Sequence, residues 1–287
     1  MRTFWDESPS IIRQISLLLW ALGLLTLFLG IYGDECGWWS DRSFLTNIAS
    51  GVTAALFGIP VALLFLSQLA TLQAEQAQRS AARGLAIRLA EEFRESVVKL
   101  VKEDAPENVD AHLSDVLIAF DSVRAQFRQA ARACEDRPVG DRASQALRRA
   151  ADALLQARGK WNVVFDSNST KRARWTEIEH SWDIFTAESR TPLTEAGLPW
   201  LKPSLLHQTS ETVKRPKNLR KVTYLATTLE LSAGDLRRAS SDPSGFSTNR
   251  LTDVASVLDT ANEYVIKVKR LLANQELVLQ DIAQIHR

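Results

Sequence analysis

The residue pairs in this chain that could do chemistry are few, and each is incomplete. Glu177 and His180 stand three apart in "EIEH", which puts a carboxylate and an imidazole on one helix face. In helical bundles a Glu-x-x-His forms one half of a di-iron site, which also needs a second such pair and further inward carboxylates. His112, His207 and His286 have no Glu three residues earlier. The second half is missing, and no metal site is expected. Cys134 is the thiol that could pair with a histidine, but it falls on the apolar stripe of its segment, which predicts an inert group. The sequence has no Gly-rich phosphate loop, no Gly-x-Ser-x-Gly and no telling pair of acidic motifs. The chain reads as no enzyme and as needing no cofactor.

The strongest polar feature is basic. "VKRPKNLRK" holds Lys214, Arg215, Lys217, Arg220 and Lys221, and "KRAR" adds Lys171, Arg172 and Arg174. Such a cluster can attract lipid headgroups or other anionic ligands, and these eight residues are the candidate site. The bland reading of the same residues is a solvated face balanced by carboxylates elsewhere. No aromatic side chains interleave with them as in a nucleic-acid platform, so no nucleic acid is expected. The formal net charge of +1 over 287 residues names no partner by itself. Residues 11–69 are almost uncharged, and nearly all ionisable groups follow them.

Those groups must be positioned by elements of two kinds. "IIRQISLLLWALGLLTLFLGI", Ile11–Ile31, carries only Arg13 near its start. At ~1.5 Å per residue it reaches about 31 Å, the thickness of a hydrocarbon core. "FLTNIASGVTAALFGIPVALLFLSQL", Phe44–Leu69, carries no charge. Both read as transmembrane helices. A cleaved signal peptide is disfavoured for the first, whose apolar run is too long and which lacks a small-x-small cleavage site in "YGDECGWW". The connecting loop is acidic (Asp34, Glu35 and Asp41 against Arg42), and the flanks carry Arg2, Arg13, Arg79, Arg83 and Arg88. The positive-inside rule then places both termini in the cytoplasm, with Trp38 and Trp39 as anchors at the outer interface. Cys36 and Cys134, the two cysteines, fall on opposite sides and cannot pair. Small residues, which let helices approach closely in lipid, line the second span at Asn47, Gly51, Ala54, Gly58 and Ala62. The first span has Gly23 and Gly30 on one face. Packing of the spans as a hairpin is the expected use of these stripes, and homo-oligomer contacts are a second. Pro60 is expected to kink its span.

Beyond the spans the dominant signal is helical period. Gln68–Ala82 is rich in Gln and Ala, which favours helix but offers little surface for a core. It reads as an exposed stalk about 22 Å long, on one helix running from the outer loop to Asp104, with Pro106 as its stop. Val109, Leu113, Val116, Phe120, Val123, Phe127, Ala130 and Cys134 alternate at four and three. Leu147, Ala151, Leu154, Trp161 and Phe165 mark another face. Leu251, Val254, Leu258, Ala261, Val265, Val268, Leu272, Gln275, Leu279 and Ile282 give the pattern of a long bundle or coiled-coil helix. Shorter helices are expected over Thr170–Ser189 and Lys217–Ser232. Thr191–Pro216, with four prolines, reads as a mostly irregular loop.

The expected fold is all-α. Its parts are a cytoplasmic N-terminus (1–10), a first span (11–32), an outer loop (33–43) and a second span (44–69). A helical stalk (70–84) and a cytoplasmic all-α bundle (85–287) follow. The expected location is the plasma (inner) membrane of a bacterium. The leading functional expectation is a non-enzymatic, membrane-anchored interaction or signalling protein. Membrane lipid and a cytoplasmic protein are its partners, with a homo-oligomer as a further assembly. The alternative is an oligomeric membrane-active effector whose hairpins form a pore or perturb the bilayer.

Overall fold

Helix accounts for the regular structure throughout the computed structural model, which describes residues 10–37, 43–102, 108–135, 140–166, 171–243 and 246–284. No strand occurs among the described residues. In chain order the helices are α1 (Ser10–Glu35), α2 (Ser43–Val98), α3 (Val109–Glu135), α4 (Asp141–Val164) and α5 (Lys171–Glu195). Then come α6 (Pro203–Val213), α7 (Leu219–Thr223), α8 (Leu225–Ala239) and α9 (Asn249–Gln284). Arg2, Trp38, Trp39, Asp41, Arg42 and Pro106, expected to anchor, flank or break elements, lie outside the described residues, as does His286. The chain divides into two units, Met1–Ala81 and Ala82–Arg287.

In the first unit α1 packs antiparallel to the early part of α2. The Thr26 and Thr53 hydroxyls meet at 3.3 Å. A Cβ added at Gly23 would lie 3.1 Å from the Phe57 ring, so glycine there makes room for the aromatic. The face α2 turns to α1 runs through Thr53, Phe57, Pro60 and Leu64, and Pro60 is buried. Asn47, Gly51, Ala54, Gly58 and Ala62 are all exposed, and a Cβ at Gly51 or Gly58 would meet nothing within 4 Å. In this arrangement the glycine that takes up the neighbour is Gly23 of α1, and the stripe on α2 faces elsewhere. Spacing identified the stripe but could not choose between two faces that would both permit close approach. Gly30 likewise has nothing within 4 Å of an added Cβ.

Residues 69–81 of α2 are helical and exposed. From Ala82 the helix changes character: Ala82, Ala86, Leu89, Ala90, Phe93 and Val97 are buried in the second unit. It stops at Val98, short of the expected Asp104. Leu100 N–H donates to Val97 O at 3.0 Å and Val101 N–H to Val98 O at 3.1 Å, tightening the chain into turns. Both side chains are buried by that turn. Lys102 N–H then donates to Val164 O at 2.9 Å.

The second unit is built on aromatic rings from four elements. Trp161 of α4 lies 6.2 Å from Phe120 of α3, 4.2 Å from Phe165 and 6.1 Å from Tyr264 of α9. Tyr264 also meets Trp175 of α5 at 5.8 Å. The heptad-like stripe of α9 packs against α3, α6, α7 and α8, so it is a bundle core rather than a seam for one partner helix.

The region expected to be a loop at 191–216 is mostly helix. α5 continues through Pro192 to Glu195 and buries Leu193. Gly197, at φ +68, follows it. Gly197 N–H donates to Thr194 O at 3.1 Å and Leu198 N–H to Leu193 O at 2.8 Å, the paired bonds of a Schellman cap. Pro203 opens α6 at its first turn, where a missing N–H is no loss. Only residues 196–202 join the two. The expected Lys217–Ser232 helix is split at Tyr224 into α7 and α8, and α8 runs on to Ala239.

The Tyr264 hydroxyl is buried with no hydrogen-bond partner, and burial pushes its pKa up. Replacing Tyr264 by Phe removes an unsatisfied polar group and should stabilise the protein by about 1 kcal/mol, or ~2–4 °C in Tm. Trp161→Ala should cost about 3–5 kcal/mol. Thermal melts followed by near-UV circular dichroism in detergent test both; a lowered Tm for Tyr264→Phe would refute the first.

Candidate functional site

The two basic segments do adjoin. Trp175 Nε1 of α5 donates to Val213 O of α6 at 2.7 Å, and Arg215 donates to Thr176 Oγ1 at 3.0 Å. Adjacency does not make a cationic patch, because several of the charges are already neutralised. Arg215 pairs with Glu179 at 2.7 Å, and its backbone N–H donates to the same carboxylate at 3.0 Å. Lys214 pairs with Glu211. Arg174 donates to Lys99 O at 2.6 Å and reaches Asp166 at 3.4 Å. Arg172, Lys217, Arg220 and Lys221 remain exposed, with no ion pair among the described residues.

Lys171 departs furthest from a headgroup ligand. It is 2% exposed. Its ammonium donates to Asp166 O at 2.8 Å and lies 5.6 Å from the centre of the Trp161 ring. Burial lowers its pKa to about 8, with Asp166 opposing that shift and Arg174 reinforcing it. The sequence could not distinguish this lysine from its neighbours, since its burial follows from where α5 begins against the aromatic core.

The Glu177–His180 pair stands on the surface of α5. Glu177 pairs with Lys99 at 2.6 Å, and both groups are about half exposed. His180 is exposed and lines an open depression of about 680 Å³ with Arg172, Ala173, Thr176 and Glu177, all from one helix. No group of three or more His, Cys, Asp or Glu able to hold a metal occurs among the described residues. Cys134 is half buried, and burial, with Glu135 adding to it, raises the thiol's pKa, which disfavours the nucleophilic thiolate.

Sequence reasoning missed a different group of buried polar residues, on α6 and α9. Asn274 and Gln275 are buried on α9, and Gln208 Nε2 donates to Asn274 Oδ1 at 3.2 Å. Thr209, buried on α6, Asn274 Nδ2 and Gln275 Oε1 find no partner. The signal was present: Gln275 interrupts an otherwise apolar stripe. The chain matches no protein-family model, no curated protein and no solved structure.

The depressed Lys171 pKa sets a pH dependence. Its folded pKa, about 8, lies below the ordinary 10.5, so folding disfavours the charged form. The resulting destabilisation is fully present below about pH 8 and is relieved as pH rises toward 10.5. Wild-type stability relative to Lys171→Met should therefore rise across that window. Denaturant melts between pH 7 and 10 measure the difference; a flat difference would place the lysine in solvent.

Proposed function

We propose that this is a membrane-anchored, non-enzymatic interaction or signalling protein. In this reading α1 and the apolar part of α2 cross a bacterial inner membrane as a hairpin, and the second unit meets a partner in the cytoplasm. One observation carries the anchor. Two helices have mean hydropathy windows of 2.2 and 2.1, yet only 11% of each window is buried. Leu18, Phe28 and Phe65 are each 67–68% exposed. In water each such side chain forgoes about 1.5–3 kcal/mol of burial. In hydrocarbon that surface is at home, and helices keep their backbone groups satisfied there.

Support for an interaction role is the character of the second unit. It is a helical bundle with an aromatic core, in which Glu177, Lys214 and Arg215 are paired at the surface and Lys171 is buried. Both termini are proposed to be cytoplasmic, on the charge asymmetry around the two helices. Arg172, Lys217, Arg220 and Lys221 are the basic residues proposed to meet anionic lipid or another anionic partner. The exposed Asn47, Gly51, Ala54, Gly58 and Ala62 favour a second reading, an oligomeric effector that perturbs the bilayer through this stripe.

Two measurements on cells expressing the full chain test these readings. A membrane-impermeant maleimide applied to spheroplasts should label Cys36 and spare Cys134; the reverse would overturn the orientation. A membrane-potential dye should report no depolarisation on overexpression. Depolarisation abolished by Gly51→Leu and Gly58→Leu would favour the pore-forming effector over the scaffold.

A further inference from the structure

The exposed cations Arg172, Lys217, Arg220 and Lys221 come together through the topology of the second unit. α2 and α5 run antiparallel there. The Phe93 and Trp182 rings lie 5.0 Å apart, Ser96 Oγ meets Ser181 Oγ at 2.8 Å, and Lys99 pairs with Glu177 at 2.6 Å. Arg172, in the first turn of α5, is therefore level with the end of α2, about 24 Å of helix beyond Ala82. The end of α6 is level with it too, since Trp175 bonds Val213 O and Arg215 bonds Thr176. α7, which carries Arg220 and Lys221, packs on both α5 and α9.

The carboxylates of this neighbourhood are already engaged. Glu177 pairs with Lys99, Glu179 with Arg215, Glu211 with Lys214, and Asp166 with Arg174. Glu263 stands beside Lys267, whose ammonium bonds Lys214 O. The four cations are thus a local surplus on a chain whose formal net charge is only +1. Next to them Tyr224 and Leu231, seven apart and so on one face of α8, are 61% and 65% exposed. The surface is shallow: the depression beside Arg172 is lined by α5 alone. Small ligands favour concave sites walled on several sides, whereas a flat surface mixing charge with exposed apolar side chains suits another protein.

We propose that this surface docks an acidic segment of a soluble protein. Its carboxylates meet Arg172, Lys217, Arg220 and Lys221, and its apolar side chains meet Tyr224 and Leu231. The proposal rests on the interaction reading above and supplies the chemistry of the partner. It sets the chain's own lipid aside, because about 44 Å of helix runs along α2 from Leu69, the end of the apolar stretch, to Val98. An extended polyanion fits less well. Evenly spaced phosphates would also meet Glu177, Glu179 and Glu211, and a lone tyrosine is no stacking platform. A protein segment can place carboxylates and apolar groups one by one.

Fluorescence anisotropy on the full-length protein in neutral phosphatidylcholine nanodiscs tests this, with a labelled peptide of repeated Glu-Glu-Leu-Glu as the probe. Both faces of a nanodisc are open, so the outcome does not depend on which side of a cell membrane the unit occupies. The peptide should bind at physiological salt. Arg172→Gln, Lys217→Gln, Arg220→Gln and Lys221→Gln together should weaken binding at least about tenfold. Tyr224→Ser with Leu231→Ser should weaken it at least about threefold. Removing four exposed arginines of α3 and α4 (Arg128→Gln, Arg132→Gln, Arg142→Gln, Arg149→Gln) should change it less than about twofold. Absence of binding, equal losses in the two charge variants, or full affinity without Tyr224 and Leu231 would each overturn the proposal. So would tighter binding of phosphatidylserine vesicles or of a single-stranded oligonucleotide through the same four cations, which would assign the surface to lipid or to nucleic acid. If the quadruple variant at the site does not fold, Arg172→Gln with Lys217→Gln decides, with a loss of about threefold expected. Failure here leaves the membrane anchor standing, and a failed maleimide result leaves this surface standing.

Discussion

A helix satisfies its own backbone hydrogen bonds, and α2 depends on that property more than any other element. Along Ser43–Val98 its side chains pass through three regimes: apolar and exposed, Gln- and Ala-rich and exposed, then apolar and buried. If the first regime lies in hydrocarbon, as proposed, no loop could make the first transition there, because an unpaired peptide group costs several kcal/mol. A helix needs no adjustment, because only the side chains register the change of surroundings. The absence of Pro and Gly between Pro60 and Gly84 is the sequence form of this constraint.

The bundle rests on a second interaction, the meeting of Trp161, Phe165, Trp175 and Tyr264. It gathers α4, α5 and α9 around rings whose centres lie 4.2–6.1 Å apart. Its position also explains Lys171. A lysine at the first residue of α5 can reach only the edge of this cluster, so its stem is packed and its ammonium finds a backbone carbonyl and a ring face. Chemistry suggested by residue type was redirected by the packing beside it.

Period carried the fold class and the long helices, because apolar residues at three- and four-residue intervals leave few alternatives over such lengths. It does not resolve 191–216, because proline breaks a helix at some positions and is accommodated at others. Pro192 sits inside a helix that Leu193 and Ala196 help bury, and Pro203 occupies the one turn where proline favours helix. The Gly197-Leu198-Pro199 signal for a helix end was legible and lay farther on. The candidate site was less legible still. Which of Lys171, Arg172 and Arg174 faces solvent depends on where α4 and α6 lie, and clustering in sequence says nothing of pairing with Glu179 or Glu211 across or along helices.

The exposed stretch of α2 has a thermodynamic character of its own. Residues 69–81 touch no core, and an isolated helix of that size is marginal in water because starting a helix is costly while extending one is not. Here no start is required: a formed helix enters from one end and another receives it. Its order is thus a boundary effect, sustained by its neighbours and lost first when either end frays. Warming or glycine insertion would therefore melt this stretch well before the helical segments on either side of it.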